Sequence, residues 1–230
     1  MKESDILKII YPSVVTWLGD WEKSIADVKR LKLKEISLFL TGAKINERKR
    51  IYQALENTLV NSIPHVHIRQ EESEDELDYF VKNYKTKAFT LHYQYIDFFK
   101  NSKHKKKIYI ENNWKKHKIE KLSKLNQVGG VCIDLSHHEQ FRLTEKECYV
   151  MSQKSAENFK IGCNHLSAVR KDGESWHEAK NLDELKYVIN IPKKYFSKYI
   201  CLELVNPISQ QIKFKKEIAK LLSKAWQKKS

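Results

Sequence analysis

An apolar run that ends abruptly in one carboxylate and two imidazoles, Gly129-Gly130-Val131-Cys132-Ile133-Asp134-Leu135-Ser136-His137-His138, is where this chain most plainly offers chemistry. Asp134 and His137 stand three residues apart, near enough to line one site on an unwound loop. An oxygen beside a nitrogen is a ligand set suited to zinc, manganese or iron. The same letters also fit an aspartate capping a helix in front of a solvent-facing histidine pair. Recurrence along the chain favours the first reading. His65 and His67 fall as i and i+2 on one face of an apolar run, His92 and His165 close two further runs, and His177 lies in a polar loop beside Trp176. Glu111 (IYIENN) and Glu203 (ICLELVN) interrupt apolar strands, where a carboxylate needs a cation or hydrogen bonds to offset its desolvation. Either of His65 and His67 alone also fits a satisfied histidine at a sheet edge.

Groups so distant in the chain meet only if the fold carries them to one place. Eight β-rich runs can be read: Ile9 to Thr16, Glu35 to Leu40, Ile63 to Ile68, Ala88 to Tyr93, Lys107 to Glu111, Val131 to Ile133, Lys160 to His165 and Tyr199 to Leu204. Amphipathic stretches separate them. One opens near Asp20 and carries Trp21, Ile25, Val28 and Leu31; a second covers residues 46–61, with Ile51, Leu55 and Leu59. Ser73 begins an acidic helix with a capping box, and a last helix follows Asn206-Pro207 with Ile212, Ile218, Leu221 and Leu222. Strand starts recur roughly every 20 to 40 residues, about the length of a βαβ unit, and no antiparallel hairpin signal stands out. The pattern predicts one domain over residues 1–230, an α/β (β/α)8 TIM barrel, with an open doubly wound sheet as the alternative. In a parallel barrel the polar residues at the strands' carboxyl ends converge on one mouth. The connection over residues 166–181 is long enough for a lid or substrate loop.

The formal net charge of +14 and pI near 9.4 favour an anionic partner, a nucleic acid or a phosphorylated small molecule. Lysines on solvated helix faces would give the same total, and Lys103 to Lys107 and Lys115 to Lys118 read as such surface. Cys132, Cys148, Cys163 and Cys201 lack paired short spacing, and three of them lie in apolar runs. They read as reduced core residues, hence a cytoplasmic expectation. No run approaches a membrane span, so no membrane partner is expected. Trp17, Tyr93, Tyr95 and Trp114 could stack on a sugar or base near the mouth, or be core.

The order strand-Glu, Asp-x-x-His, strand-His, strand-Glu, carried by IENN, GVCIDLSHH and LELVNP, resembles the xylose isomerase-like TIM-barrel superfamily over nearly the whole chain. That superfamily includes sugar isomerases and epimerases, endonuclease IV and UV-damage endonuclease. The resemblance implies a central divalent metal, zinc or manganese, held by Glu111, Asp134, His165 and Glu203. The endonuclease branch implies further ligands at His65, His92, His137 and His177, and up to three ions. Two departures stand out: Ser175 where endonuclease IV has Asp, and Ala179-Lys180-Asn181 where Gly-Glu-Gly usually follows. The favoured expectation is a phosphodiesterase acting on damaged or abasic DNA, with Glu111, Glu203 and His137 catalytic. The alternative is a one-metal isomerase or epimerase of a sugar or phosphorylated sugar. There Glu111 and Glu203 would serve as acid and base, His137 would bind a hydroxyl, and Arg170 or Lys171 would meet a phosphate. His67 is assigned to substrate binding. A barrel that binds without turnover is a third possibility.

Overall fold

Pro12 splits the first apolar run in two, because a residue without an N–H cannot donate to a ladder. In the computed structural model, which describes residues 1–113 and 122–228, a short helix α1 (Glu3–Leu7) precedes β1 (Ile10–Tyr11) and β2 (Ser13–Val15). There follow α2 (Trp21–Arg30), β3 (Ser37–Phe39), α3 (Ile45–Glu56), β4 (His65–His67), α4 (Glu74–Tyr84), β5 (Ala88–Leu91), α5 (Ile96–Phe99) and β6 (Ile108–Glu111). The second half holds β7 (Gly130–Asp134), α6 (Leu135–Thr144), α7 (Lys146–Asn158), β8 (Ile161–Leu166), β9 (Ala168–Val169), β10 (Ser175–Trp176), β11 (Ile200–Leu202) and α8 (Ile208–Lys228).

Nine strands form one parallel sheet in the order β1-β11-β8-β7-β6-β5-β4-β3-β2. Its two edges, β1 and β2, are separated by Pro12 alone, so the sheet curls into a nearly closed, barrel-like surface. Pro12 still contributes its carbonyl, which accepts from Ser37 N at 2.9 Å. Gly130 adopts φ +138°, and a Cβ there would stand 2.1 Å from the Lys160 carbonyl oxygen, so glycine is what lets β7 approach β8.

The helices start where the sequence provides caps. Asp20 accepts from Lys23 N at 2.9 Å and buries Trp21, Ile25 and Val28 of α2 against the sheet. Ser73 and Glu76 form the predicted capping box of α4. The large apolar core lies between the strands' outer faces and these helices, whereas the described residues of the barrel interior hold two small apolar clusters, one around Tyr109 and one around Phe39. Inward positions above them are polar.

The regular series of eight strand–helix units is not what the described residues form. Full helices follow β2, β3, β4, β7 and β11, but β5 is followed only by a 3-10 turn and the four-residue α5. Among the described residues, β6 leads to a 3-10 turn at Leu122–Gln127, and β8 leads to an antiparallel hairpin of β9 and β10. This hairpin occupies the connection expected to be a lid. Asp172-Gly173 turns it: Gly173 takes φ +88°, and Asp172 accepts from Glu174 N at 3.0 Å. Cys132, Cys163 and Cys201 are buried free thiols and Cys148 a half-buried one, as core residues should be. No helix among the described residues is long and apolar enough to cross a membrane. Trp114 and Lys115 to Lys118 lie outside the described residues.

Candidate metal centre

Parallel strands bring the last inward residue of each to one level. Glu111 ends β6, Asp134 ends β7, His165 stands in β8 paired with Asp134, and Glu203 follows β11. His67 closes β4. Three groups of side chains offer ligand atoms within 4.8 Å of one another: His67, Glu111 and His165; Glu111, Asp134 and His137; Asp134, His165 and Glu203. Each shares a member with the others. His67 Nε2 donates to Glu111 Oε2 at 2.9 Å, and His165 Nδ1 lies 3.3 Å from Glu203 Oε2 and 3.6 Å from Glu111 Oε2.

Asp134 has two tasks, one per oxygen. Its Oδ1 accepts from Ser136 N at 2.7 Å, Ser136 Oγ at 2.5 Å and His137 N at 2.9 Å, capping α6. Its Oδ2 is buried without a hydrogen-bond partner, 3.9 Å from His137 Nε2. The cap is therefore realised through one oxygen while the other is left facing the histidines, and His137 sits in the first helical turn rather than on an unwound loop. Its Nε2 lies 3.6 Å from Glu111 Oε1, while Nδ1 lies 3.2 Å from Ser175 Oγ and 3.4 Å from Gln140 Oε1. His138 is not solvent-facing: it is buried against Tyr149 and Tyr195, with Nδ1 2.8 Å from Ser152 Oγ.

His65 and His67 exchange their expected places. Both point into the barrel, but His65 lies one layer deeper, with Nδ1 2.6 Å from Ser37 Oγ and Nε2 2.7 Å from Thr90 Oγ1. His67 is the one that reaches the carboxylates, so it belongs with the ligand atoms and His65 beneath them. His92 stands beside them, its Nε2 3.6 Å from Glu111 Oε2 and its ring edge-on to His67. His177 Nδ1 is 3.8 Å from Glu203 Oε1, at the outer edge of the cluster and in none of the three groups. Arg170 and Lys171 belong to the hairpin turn and do not line the cavity; the Arg170 guanidinium instead stacks on Trp176, 4.0 Å from the ring centre. Trp17 packs edge-on to His177 at the mouth, while Tyr93 is core and Tyr95 stacks near His92.

Sequence reasoning missed the parts that hold these groups in place. Asn112, in the run IENN, accepts from Asp134 N at 2.6 Å and donates to its carbonyl, fixing the end of β7 against β6. Gln140 donates to Glu174 at 2.5 Å and accepts from Ser175 Oγ at 2.8 Å, clasping the hairpin to α6. An amide at the end of an apolar strand was the available signal for Asn112; nothing local marked Gln140.

Burial alone would raise the Glu111 carboxyl, but the hydrogen bond from His67 and the neighbouring His92 and His165 hold it well below the usual range. Burial, together with the charges of Glu111 and Asp134, pushes the Glu203 carboxyl well up. Burial and the surrounding imidazoles keep His165 neutral, with Nδ1 buried and without a hydrogen-bond partner. A neutral imidazole nitrogen and a carboxylate oxygen, each buried without a hydrogen-bond partner, are what a divalent cation can take as ligands. Above them opens a cavity of about 990 Å³ walled by Trp17, Trp176, His177, Glu174 and Glu178 among others, with no lysine or arginine among the described residues of its lining. No protein-family model matches the chain, and no curated protein matches it.

Proposed function

We propose that this chain is a divalent-metal-dependent hydrolase of phosphodiesters, with DNA as substrate, on a TIM barrel of the xylose isomerase-like kind. Counting the two pieces either side of Pro12 as one strand leaves eight, which is the number that architecture requires. The observation that carries the reading is the overlap of the three ligand groups on Glu111, Asp134 and His165. One ion needs only one such group, whereas shared carboxylates are how adjacent ions are held side by side. His67, Glu111, Asp134, His137, His165 and Glu203 would hold zinc or manganese, with His92 and His177 at the margin. Such ions polarise a phosphoryl group and lower the pKa of water.

The protein's own residues do the rest. Glu111, ionised and central, faces His67, His92, His137 and His165 at once and keeps their rings oriented. Glu203, whose carboxyl is pushed up by burial and by the charges of Glu111 and Asp134, would give up its proton on holding a cation, which offsets those same costs. Trp17 and Trp176, 44% and 42% exposed, offer flat faces at the mouth. A second reading, isomerisation of a sugar or its phosphate, is favoured by that same Glu203 opposite an ionised Glu111, an acid and base pair in one compact cavity.

Metal content of protein purified without chelator, assayed beside cleavage of abasic and damaged duplex, decides between them. Two or more ions per chain with metal-dependent cleavage is the expected result, lost on Glu111→Gln and reduced at least about tenfold by His92→Ala. One ion per chain, with no cleavage and metal-dependent exchange of a sugar proton with solvent, would overturn the hydrolase.

A further inference from the structure

At the opposite end of the barrel, where the strands begin, a second cavity of about 730 Å³ has a character unlike the first. Its floor is aromatic. Tyr109 closes the barrel interior there, packed with Ala88, Cys132 and Cys163, and the half-buried Tyr199 lies against the same cluster. The Tyr109 ring lies directly on the backbone of β8: a Cβ on Gly162 would stand 2.2 Å from it, so only glycine admits the ring. Phe196 and Trp226 pack edge to face at 5.2 Å and form a further wall.

Four exposed lysines reach this floor from separate segments: Lys87 before β5, Lys160 before β8, and Lys193 and Lys198 before β11. Asp5 is the one acidic residue among the described residues lining the cavity. Lys160 Nζ lies 5.8 Å from the centre of the Tyr109 ring and Lys193 Nζ 5.6 Å from that of Trp226. Their neighbour Lys194 pairs with Glu157 at 3.3 Å; among the described residues none of the four lysines enters an ion pair. Lys107, close by, is held below its usual pKa by burial and by the charge of Lys87, which marks the crowding of like charge at this end.

Aromatic surface ringed by unpaired ammonium groups is complementary to a ring-bearing anion, and the volume lies in the range of small-molecule sites. We propose that this cavity binds a nucleoside monophosphate, its base on the Phe196 and Tyr199 rings and its phosphate among Lys87, Lys160 and Lys198. The site is independent of the metal centre, which opens at the other end of the strands.

Calorimetric titration of the full chain with adenosine monophosphate, adenosine, inorganic phosphate and a short oligothymidylate tests this. The monophosphate is expected to bind at least tenfold tighter than adenosine or phosphate. The pair Lys160→Gln and Lys198→Gln, at two exposed positions, should weaken it at least tenfold while leaving the circular dichroism spectrum unchanged. Equal affinity for adenosine, equal affinity for phosphate, or binding unmoved by the lysine pair would each overturn the assignment. Tight binding of the oligonucleotide without the monophosphate would mean a strand-binding face and would overturn it too.

Discussion

The two nitrogens of His165 have different partners, and this decides what His65 is for. Nδ1 faces Glu111 and Glu203, while Nε2 lies 3.1 Å from His65 Nε2 and 3.3 Å from Thr90 Oγ1. A ring that binds metal through Nδ1 carries its proton on Nε2 and needs an acceptor there. His65 can accept on Nε2 if its own proton sits on Nδ1 and is donated to Ser37 Oγ. Replacing His65 with Leu removes the acceptor, and metal affinity measured against a competing chelator should fall about tenfold, with the number of bound ions unchanged. Gln, whose amide oxygen also accepts, should recover much of the loss. If His65 were itself a ligand, the count of ions would fall instead. The sequence revealed that His65 and His67 share a face but not which stood higher, because depth in a barrel depends on the stagger of neighbouring strands. Phe39 and Thr90, each in register with His67, set that level.

Whole elements were legible where one property decides them. The apolar runs became strands, and the caps at Asp20 and Ser73 started helices where expected, because both signals are local. The hairpin of β9 and β10 was written as Asp172-Gly173 but obscured by two strands of only two residues each. The clasp between α3 and α4 was not legible at all, since it rests on a charge buried by tertiary packing. Arg48, fully buried, makes two hydrogen bonds to Glu76 at 2.8 and 3.0 Å, while Glu72 lies 3.7 Å away. Burial pushes the Glu72 carboxyl up to about 8, against the pull of Arg48 and the backbone N–H of Arg69. The folded protein therefore holds a proton that the unfolded chain releases near the ordinary carboxylate value. Stability is highest below that value and falls as pH rises toward about 8, by up to about 5 kcal/mol across the window. Denaturant unfolding at pH 5 and pH 8.5 should show that fall, and Glu72→Gln should flatten it while Arg48 keeps Glu76. An unchanged slope in the Gln variant would place the proton elsewhere.

At the scale of the molecule, the candidate ligands come from β4, β6, β7, β8 and the segment after β11, so a cation held among them ties strands across most of the sheet. The two edges meet only through Pro12, and the barrel interior has little apolar packing to hold it shut. Metal that binds the folded chain and not the unfolded one should stabilise it by about 2.7 kcal/mol at a hundred times its dissociation constant. Thermal unfolding of chelated protein should thus move upward on adding zinc or manganese, and the shift should shrink as pH falls and the imidazoles protonate. His67→Ala should remove most of the shift, read against the variant's own chelated midpoint, because the ring is buried and its loss also leaves Glu111 without its hydrogen bond. A chelated protein that gains nothing from metal, at a pH where the imidazoles are neutral, would mean that these side chains meet for another reason, and the hydrolase would go with them.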